Sequence, residues 1–322
     1  MRRVIKLSGN AYDTTLKEAF DEFITEKQTE NKAQSTIKNY KQSFRFFCDT
    51  LELGDNTIAK DITESHIYRW IGTLQKNDVS PSSQNHYLRD LRAFLYYAMD
   101  KEYLDRFKMP TVEEQEEQLK LFTDEELEKL LEKPARKNDF VEWRTWGIVN
   151  WVCATGNRAA TVCDARIGDI DFTHREIRLH HTKNKKAQII PLSPSLETAM
   201  REYIKKFRTE NADGVAYHMT DYLFPNVGND KLTYNALRQA FERYCEEREV
   251  SHSNIHGLRH NFAKAYIQKN GNIFKLQQIL GHSNIAMTRR YVALFSEDLK
   301  EDFETYSLLD NMKKSQKRTK KV

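Results

Sequence analysis

Cysteine is scarce in this 322-residue chain, and the four that occur are scattered: Cys48, Cys153, Cys163 and Cys245. No two of them form a CxxC pair, which argues against a disulfide framework and against a zinc ribbon. The pattern is typical of a protein that works in a reducing compartment. We therefore expect a cytoplasmic protein in which Cys153 and Cys163 act as small, buried hydrophobic side chains.

Long apolar runs are also lacking. Nothing approaches the ~20 apolar residues that a membrane-spanning helix needs, and the N-terminal MRRVIKLSGN has no apolar segment of the kind found in signal peptides. Charged residues make up 30% of the chain and the mean hydropathy is −0.75, which together indicate a soluble protein without a membrane partner. The net charge of +4, with an isoelectric point of about 8.6, is compatible with nucleic-acid binding but does not establish it.

The first part of the chain, residues 1–108, has apolar side chains at helical spacing and predicts a small domain of four helices. The second helix is predicted to begin at a Ser35 cap and the third at Thr63. The fourth is predicted to run from Ser83 to about Met99.

Residues 109–122 are acidic and poor in aromatic side chains, and we interpret them as a linker. The segment that follows, residues 123–310, opens with a capping box and is helical to about residue 160. Its pattern then changes to three short strands between residues 169 and 192 before it returns to helices. The predicted fold class is therefore mainly α, with a helical first domain and an α+β second domain that carries a small three-stranded antiparallel sheet.

Four short strings in the second domain are rich in side chains that carry chemistry. They are TGNR at 155–158, HTKNKKAQIIPL at 181–192, HGLRH at 256–260 and LGHSNIAMTRRY at 280–291. Each has an ordinary explanation by itself, such as a surface arginine after a helix-ending glycine or a buried core tyrosine. His256 and His260 also have the spacing of zinc-binding HExxH. However, Gly257 stands where that motif has its catalytic glutamate, which argues against a metal site and a zinc hydrolase.

Together and in this order, the four strings resemble the tyrosine recombinase, or phage integrase, family. The resemblance covers essentially the whole chain and implies a compact recombinase of the Xer kind, or a small mobile-element integrase without an arm-binding domain. It implies that residues 1–108 are a SAM-like domain that binds core DNA sites and that residues 123–310 are the catalytic domain. The two would form a C-shaped clamp around DNA. The implied reaction is site-specific recombination, for integration, excision or resolution of DNA.

The resemblance gives a catalytic role to six residues: Arg158, Lys183, His256, Arg259, His282 and Tyr291. Tyr291 would attack phosphorus and form a covalent 3′-phosphotyrosyl ester, which stores the bond energy so that rejoining needs no metal and no cofactor. Arg158 and Arg259 would stabilise charge on the phosphate oxygens through bidentate donors. Lys183, with Lys185 as the alternative, would protonate the leaving 5′ oxygen. His256 would assist proton transfer with the nucleophile, and His282 would hydrogen-bond the phosphate.

One position departs from the family pattern. Three residues after the first arginine such recombinases usually carry an acidic residue that supports the active site, and here the position is Thr161. Asp164 lies about one helical turn further on and is a candidate substitute. The departure leaves open whether this support is present.

The resemblance also predicts contacts with double-stranded DNA that carries inverted-repeat core sites. In the first domain, the candidate DNA-binding residues on polar helix faces are Lys38, Lys41, Arg45, His86, Arg89 and Arg92. Beside Tyr291, Arg289 and Arg290 are candidates for contacts with the DNA backbone. A solvated helix face is the alternative explanation for each of these side chains.

After the nucleophile, Leu299, Phe303 and Tyr306 form an apolar stripe at helical spacing. In the family such a C-terminal helix docks into the next protomer, so we predict a homotetramer on two DNA sites that exchanges this helix. An accessory directionality factor and a location at the nucleoid are further expectations. Residues 311–322 are a basic tail, either a solubilising end or an extension that binds phosphates.

Two other functions would use similar residues. A type IB topoisomerase would nick and close one duplex without exchanging strands between two. A catalytically silent DNA-binding regulator would have lost Tyr291 or one of the two arginines, and neither change is present. The sequence therefore favours the recombinase.

Overall fold

The computed structural model describes residues 14–114, 119–179, 188–210, 216–282 and 284–295, with side chains through residue 292. The chain divides into two compact units, Met1–Glu117 and Gln118–Val322. The division falls within residues 109–122, the segment interpreted as a linker. In the described ranges, no helix is both long enough and apolar enough to cross a membrane.

The first unit contains the four predicted helices: α1 (Leu16–Thr29), α2 (Gln34–Leu51), α3 (Glu64–Lys76) and α4 (Pro81–Asp100). A short 3-10 turn, Ala59–Asp61, precedes α3. The core is aromatic, since Phe20 stacks on Phe44 with ring centroids 3.8 Å apart. Phe94 meets both rings edge-on at 5.1 and 5.4 Å, an arrangement that aromatic rings favour.

Two of these helices begin earlier than predicted. The prediction that Ser35 caps α2 is wrong, because Ala33 precedes the helix without a side-chain cap and Ser35 lies in the first turn. Both residues are exposed, so water can satisfy the first backbone amides and no side-chain acceptor is needed. Helix α4 begins at Pro81, whose fixed φ suits the first helical position. Its cap is Ser80, which accepts a hydrogen bond from the Ser83 amide at 3.3 Å.

A buried carboxylate joins α2 to α4. Asp90 is 7% exposed and accepts a hydrogen bond from the Ser43 hydroxyl at 3.2 Å. The same carboxylate lies 3.4 Å from His86 Nε2 and 3.8 Å from Arg89 Nε. Arg89 Nη2 also lies 2.6 Å from His86 Nδ1. Asp90 therefore holds in place two of the basic side chains that the sequence predicts to face DNA.

The second unit contains eight described helices: α5 (Asp124–Leu131), α6 (Phe140–Thr155), α7 (Ala159–Asp164), α8 (Pro194–Phe207), α9 (Tyr234–Glu246), α10 (Ile255–Gln268), α11 (Ile273–Leu280) and α12 (Ile285–Phe295). Helix α6 lies at the centre of the core and packs against α8, α9 and α10. Its tryptophans, Trp143, Trp146 and Trp151, are all buried. A helix that is apolar on every side is stable only inside a core, which explains its central place.

Three short strands form the predicted antiparallel sheet in the order β1 (Ile170–Asp171), β2 (Glu176–Leu179) and β3 (Gln188–Pro191). Ile177 lies opposite Ile190, and both side chains are buried against the core. The predicted fold class, mainly helical with one small antiparallel sheet, is confirmed. Residues 180–187, which connect β2 to β3 and include Lys183 and Lys185, lie outside the described residues.

Candidate active site

Three of the four polar strings meet at one end of the second unit. TGNR connects α6 to α7, HGLRH opens α10, and LGH ends α11 just before α12. Helix α6 ends at Gly156, whose φ of 63° is in the left-handed region that favours glycine. The next residue, Asn157, is buried and accepts a hydrogen bond from Trp151 Nε1 at 2.8 Å, which ties this turn to α6.

Gly156 also permits a close approach of the helices. A Cβ atom at this position would lie 2.5 Å from Phe262 Cδ1 and 2.8 Å from Leu280 Cδ2, well inside van der Waals contact. The glycine is therefore required both by its backbone conformation and by the packing of α10 and α11 against it.

Replacing Gly156 with alanine should lower the free energy of unfolding by roughly 2–4 kcal/mol, because it adds left-handed strain and an overpacked methyl group. Urea unfolding of the two proteins measures the change. Gly228→Ala is the matched control in the same unit, since a Cβ there would meet its nearest atoms at 3.4 and 3.5 Å. A Gly156 variant as stable as the Gly228 variant would contradict the packing described above.

The two predicted arginines converge on the turn after α11. Arg259 is 2% exposed, and its Nη1 donates to Gly156 O at 2.6 Å while its Nη2 donates to Leu280 O at 3.0 Å. Arg158 Nη1 donates to Leu280 O at 3.3 Å and to Gly281 O at 3.2 Å. Within the described part of the chain, neither guanidinium has a carboxylate within ion-pair distance. Two positive charges, one buried on Arg259 and one half-buried on Arg158, therefore lie close together without a countercharge among the described residues.

Both guanidiniums stay charged at neutral pH in spite of this surplus. Burial and the neighbouring Arg158 lower the pKa of Arg259 to about 10, still well above neutrality. Burial likewise lowers the pKa of Arg158, while Tyr291 opposes the shift. A site of this charge is suited to an anion that accepts bidentate hydrogen bonds.

His282 is held between Arg259 and Thr288. Its Nε2 lies 2.7 Å from Arg259 Nη2 and its Nδ1 lies 2.8 Å from the Thr288 hydroxyl oxygen. Because a guanidinium can only donate, Nε2 must accept, and the imidazole proton is therefore assigned to Nδ1. Burial, then Arg259 and Arg158, lower the pKa of His282 to about 4, so the ring is neutral at physiological pH.

Tyr291 lies beside this pair with its hydroxyl inside the site. The residue is 6% exposed, and its ring lies parallel to that of His282 with centroids 6.2 Å apart. Its hydroxyl oxygen lies 2.8 Å from His260 Nδ1. Burial raises the pKa of Tyr291, and Arg259, Arg158 and Arg290 oppose that shift in part. The phenol is therefore protonated at neutral pH.

The histidine at the tyrosine hydroxyl is not the one that sequence reasoning chose. His256, expected to assist proton transfer with the nucleophile, is exposed, and its ring centroid lies 5.5 Å from that of His260. Partial burial of the ring, followed by the charges of Arg259 and Arg158, lowers the pKa of His256. One helical turn further along α10, His260 makes the contact. The role of His256 in proton transfer stays a prediction, and the packing of α10 against α12 places His260, not His256, in contact with the Tyr291 hydroxyl.

The HGLRH string is closely packed at its second residue. A Cβ atom on Gly257 would lie 2.8 Å from Lys120 O and 2.9 Å from Phe122 Cε2, so the glutamate of a zinc hydrolase has no space there. Across the portion of the chain described here, no three His, Cys, Asp or Glu side chains are grouped as metal ligands would be.

The strand that follows the lysine-containing segment is fixed against the end of α11. Residues 180–187 are outside the described ranges, but Leu179 and Gln188, which flank them, are paired across β2 and β3. Gln188 Nε2 donates to Gln278 O at 2.6 Å and to Ile279 O at 2.5 Å, which fixes β3 against the end of α11. Neither Lys183 nor Lys185 is located by the structure.

The position that departs from the family pattern is structural. Thr161 is 9% exposed on α7 and lies among buried neighbours of the core. Asp164, the candidate substitute, forms an ion pair with Lys231 rather than with Arg158 or Arg259. The Asp164 carboxylate is therefore paired with Lys231, which lies just before α9, and it does not neutralise the arginine pair.

The predicted DNA-binding residues differ in how exposed they are and in whether other groups of the protein already bind them. On α2, Lys38, Lys41 and Arg45 are exposed, and on α12 so are Arg289 and Arg290. On α4, Arg89 is exposed and His86 half-buried, both against Asp90. Arg92 differs from the rest, because it is half-buried and its Nη2 donates to Pro110 O at 2.9 Å. This contact favours a structural role for Arg92.

Comparison with known proteins agrees with this geometry. Residues 120–298 match the model of the phage integrase family, and residues 12–102 match that of the N-terminal SAM-like domain of phage integrases. Among curated relatives, tyrosine recombinase XerA of Pyrococcus furiosus is 26% identical over 302 residues, covering 93% of this chain and 97% of XerA. Tyrosine recombinase XerC of Roseiflexus sp. is 25% identical over 266 residues, covering 81% of this chain and 84% of XerC.

Solved structures share the fold. The integrase of the transposon Tn1549, in complex with transposon right end DNA, has a TM-score of 0.73 at 19% identity and covers 95% of this chain and 100% of that one. A lambda integrase dimer bound to a COC′ core site has a TM-score of 0.67 at 16% identity, covering 85% and 97% respectively. At these identities the likeness establishes the architecture and leaves the roles of individual residues to the geometry above.

Proposed function

The chain belongs to the phage integrase family of tyrosine recombinases, and from that premise we propose how its residues cut and rejoin DNA. The protein is a site-specific DNA recombinase. The observation that carries the residue assignment is the pair of guanidiniums of buried Arg259 and half-buried Arg158, which have no described carboxylate partner and lie beside buried Tyr291. This is the surrounding that a phosphodiester and its attacking nucleophile require.

The arginine pair would bind the scissile phosphate. Charge builds on the non-bridging oxygens as phosphorus becomes five-coordinate, and guanidiniums fixed in advance stabilise that charge without reorganising. The carbonyls of Gly156, Leu280 and Gly281 already orient both side chains. The cost of burying two cations without a countercharge is incurred on folding, and the arriving phosphate would relieve it.

Tyr291 would attack the phosphorus and displace the 5′ oxygen of the broken strand. The bond from Oη to phosphorus forms as the bond from phosphorus to the 5′ oxygen breaks, which leaves a 3′-phosphotyrosyl ester and a free 5′ hydroxyl. Lys183, with Lys185 as the alternative, would supply the proton to the leaving oxygen. Leu179 and Gln188 flank the segment that contains both lysines, and the hydrogen bonds of Gln188 to the end of α11 support this role.

His282 can donate a hydrogen bond to the phosphate only when its Nε2 carries a proton. Its Nε2 accepts from Arg259 in the free protein, so it must carry a proton before it can donate to a phosphate oxygen. The Thr288 hydroxyl can either accept from Nδ1 or donate to it, and it therefore supports both tautomers of the ring. We assign Thr288 as a positioning residue for His282.

Replacing Thr288 with valine should slow cleavage about 10-fold, because the imidazole loses the hydroxyl that contacts Nδ1 in both tautomers. Thr288→Ser keeps the hydroxyl and should cleave at close to the wild-type rate. Single-turnover adduct formation at saturating protein measures both. Equal rates for the valine and serine variants would show that the hydroxyl has no part in the reaction.

The partner of the enzyme is DNA. We propose that the exposed basic faces of α2 and α4 contact core sites arranged as an inverted repeat, with His86 and Arg89 held by Asp90. We further propose that a homotetramer on two DNA sites exchanges the C-terminal helix. The residues of that helix, including Leu299 and Phe303, lie outside the described residues. An accessory directionality factor belongs to the same proposal.

The proposal is tested by identifying the residue that carries the DNA. A duplex with the flanking sequence of the gene is nicked a few nucleotides downstream of the cleavage point, so that the short fragment with the free 5′ hydroxyl diffuses away and the adduct accumulates. Trypsin digestion of the adduct, followed by mass spectrometry, should give the peptide YVALFSEDLK, which begins at Tyr291, linked to DNA. Another tyrosine on the DNA-linked peptide would overturn the assignment. Strand transfer between two labelled duplexes then separates recombination from topoisomerase activity.

A further inference from the structure

The hydroxyl of Tyr291 needs a group that takes its proton when it attacks. The phenol is protonated at neutral pH, because burial raises its pKa. A protonated phenol is a weak nucleophile, and enzymes activate such groups with an adjacent base. The two arginines cannot serve as that base, since a guanidinium has no lone pair to offer.

His260 Nδ1 lies 2.8 Å from the Tyr291 hydroxyl oxygen, a distance typical of a hydrogen bond between a phenol and an imidazole. His260 projects from α10 directly after Arg259, and Tyr291 projects from α12, which packs on α10. The base and one arm of the phosphate clamp therefore sit on adjacent residues of one helix. Their positions relative to the nucleophile are set by the same packing.

The imidazole of His260 is neutral and can accept a proton. Burial is the largest effect on its pKa, and the groups facing it add to that effect. They are His256 and Arg259 on its own helix and Arg290 on α12, and together with burial they lower the pKa to about 4. In the tautomer with the ring proton on Nε2, Nδ1 accepts the hydrogen bond from the tyrosine hydroxyl, and this is the tautomer that can take up the phenolic proton.

We propose that His260 is the base that accepts the Tyr291 proton during cleavage and returns it during rejoining. The proposal rests on Tyr291 being the nucleophile. As the bond from Oη to phosphorus forms and the bond to the 5′ oxygen breaks, the phenolic proton passes to Nδ1 and His260 becomes an imidazolium. The leaving oxygen takes its proton from the separate general acid. In rejoining, the 5′ hydroxyl attacks, the phosphotyrosyl bond breaks, and the imidazolium protonates the departing phenolate.

The bound phosphate makes this transfer favourable. An anion beside the imidazole stabilises the protonated form and raises its pKa from the low value of the free protein toward neutrality. The proton is therefore accepted only when DNA is in place. His256, which is exposed, stays available to contact the phosphate.

The test compares His260→Gln with His260→Phe. The glutamine amide oxygen can accept a hydrogen bond from Tyr291 but cannot take up its proton, whereas phenylalanine can do neither. Both variants are measured with wild type and with His174→Gln, a control at an exposed histidine that contacts Asp171 on the β1–β2 turn. The readouts are the single-turnover rate of adduct formation on the nicked duplex and DNA binding, each from about pH 5 to about pH 9. Thermal unfolding checks that each variant folds, and His260→Asn replaces the glutamine variant if that one is unstable.

The glutamine variant should bind DNA normally and cleave about 10²–10⁴-fold more slowly at neutral pH. Rejoining from preformed adduct should slow by a similar factor. The wild-type rate should fall as the pH drops through the pKa of His260 in the complex, because the base becomes protonated, and this fall should be absent from the glutamine variant. The histidine control should match wild type.

Two outcomes would overturn the proposal. A glutamine variant that cleaves at the wild-type rate, with a slow phenylalanine variant, would make His260 a positioning residue for the hydroxyl. Wild-type rates in both variants would remove His260 from the reaction altogether. Neither outcome affects the proposed function, which is tested separately by the residue that is linked to DNA and by strand transfer between two duplexes.

Discussion

Replacing Tyr291 with phenylalanine should leave the protein folded and bound to DNA but unable to form a covalent adduct. The change removes the hydroxyl together with its contacts with His260 and Arg259. The ring keeps its place in the small cluster with Ala263, Leu276 and Leu280 and its parallel position beside His282. Loss of a nucleophile reduces the rate to background, about 10⁶-fold, because no other group can form the ester.

An SDS-resistant protein–DNA band on the nicked duplex measures this effect. Tyr266→Phe is the matched control, since Tyr266 packs on the same small cluster and its ring lies 6.2 Å from that of Phe262. It should form adduct like wild type. A band from the Tyr291 variant, on DNA that it demonstrably binds, would contradict the assignment. No band from wild type would point to a silent regulator or to an enzyme that awaits a partner.

Replacing Arg259 with lysine should slow cleavage about 10²–10³-fold even though the charge is kept. The guanidinium donates simultaneously to Gly156 O, Leu280 O and His282, and a single ammonium group cannot reproduce these directions. His282 would also lose the donor that fixes its Nε2. We therefore expect the cleavage rate to fall much more than DNA affinity, because the lost contacts act where charge develops.

The measurement pairs single-turnover cleavage with a binding titration at fixed salt. Arg238→Lys, at an exposed arginine on α9, is the control for the same chemical change away from the site and should have no effect on either quantity. If the Arg259 variant lost affinity and rate in equal measure, the arginine would contribute to binding in general and not to the transition state. An unchanged rate would exclude it from the phosphate clamp.

The arrangement of Arg158 and Arg259 is costly for the free protein, and this cost is itself informative. Burying two cations without a carboxylate partner opposes folding, and a hydrophobic pair of similar volume would be more stable. Side chains that oppose folding in this way are expected where a site binds a ligand.

The alternative functions are weaker for structural reasons. Gly257 leaves no space for the glutamate of a zinc hydrolase, and the nucleophile and both arginines that a silent regulator would lack are in place.

Much of this protein could be predicted from the sequence because the relevant signals are local. The helices of both units and the strands of the small sheet follow from apolar periodicity, which reports on burial one turn or one strand at a time. The four polar strings, read in order, identified the family and pointed to Arg158, Arg259, His282 and Tyr291. Structure places these four residues together at the turn after α11.

What only the tertiary structure decided are the contacts between side chains far apart in sequence. His256 and His260 lie one turn apart on α10, and no local pattern shows which of them faces Tyr291. Arg92 shares a polar helix pattern with Arg89, yet the fold brings the carbonyl of Pro110 to it. The proton of His282 is placed by Arg259, 23 residues earlier in the chain. Such choices depend on how helices pack and on which polar group is buried against which, and neither is encoded within a single turn of the chain.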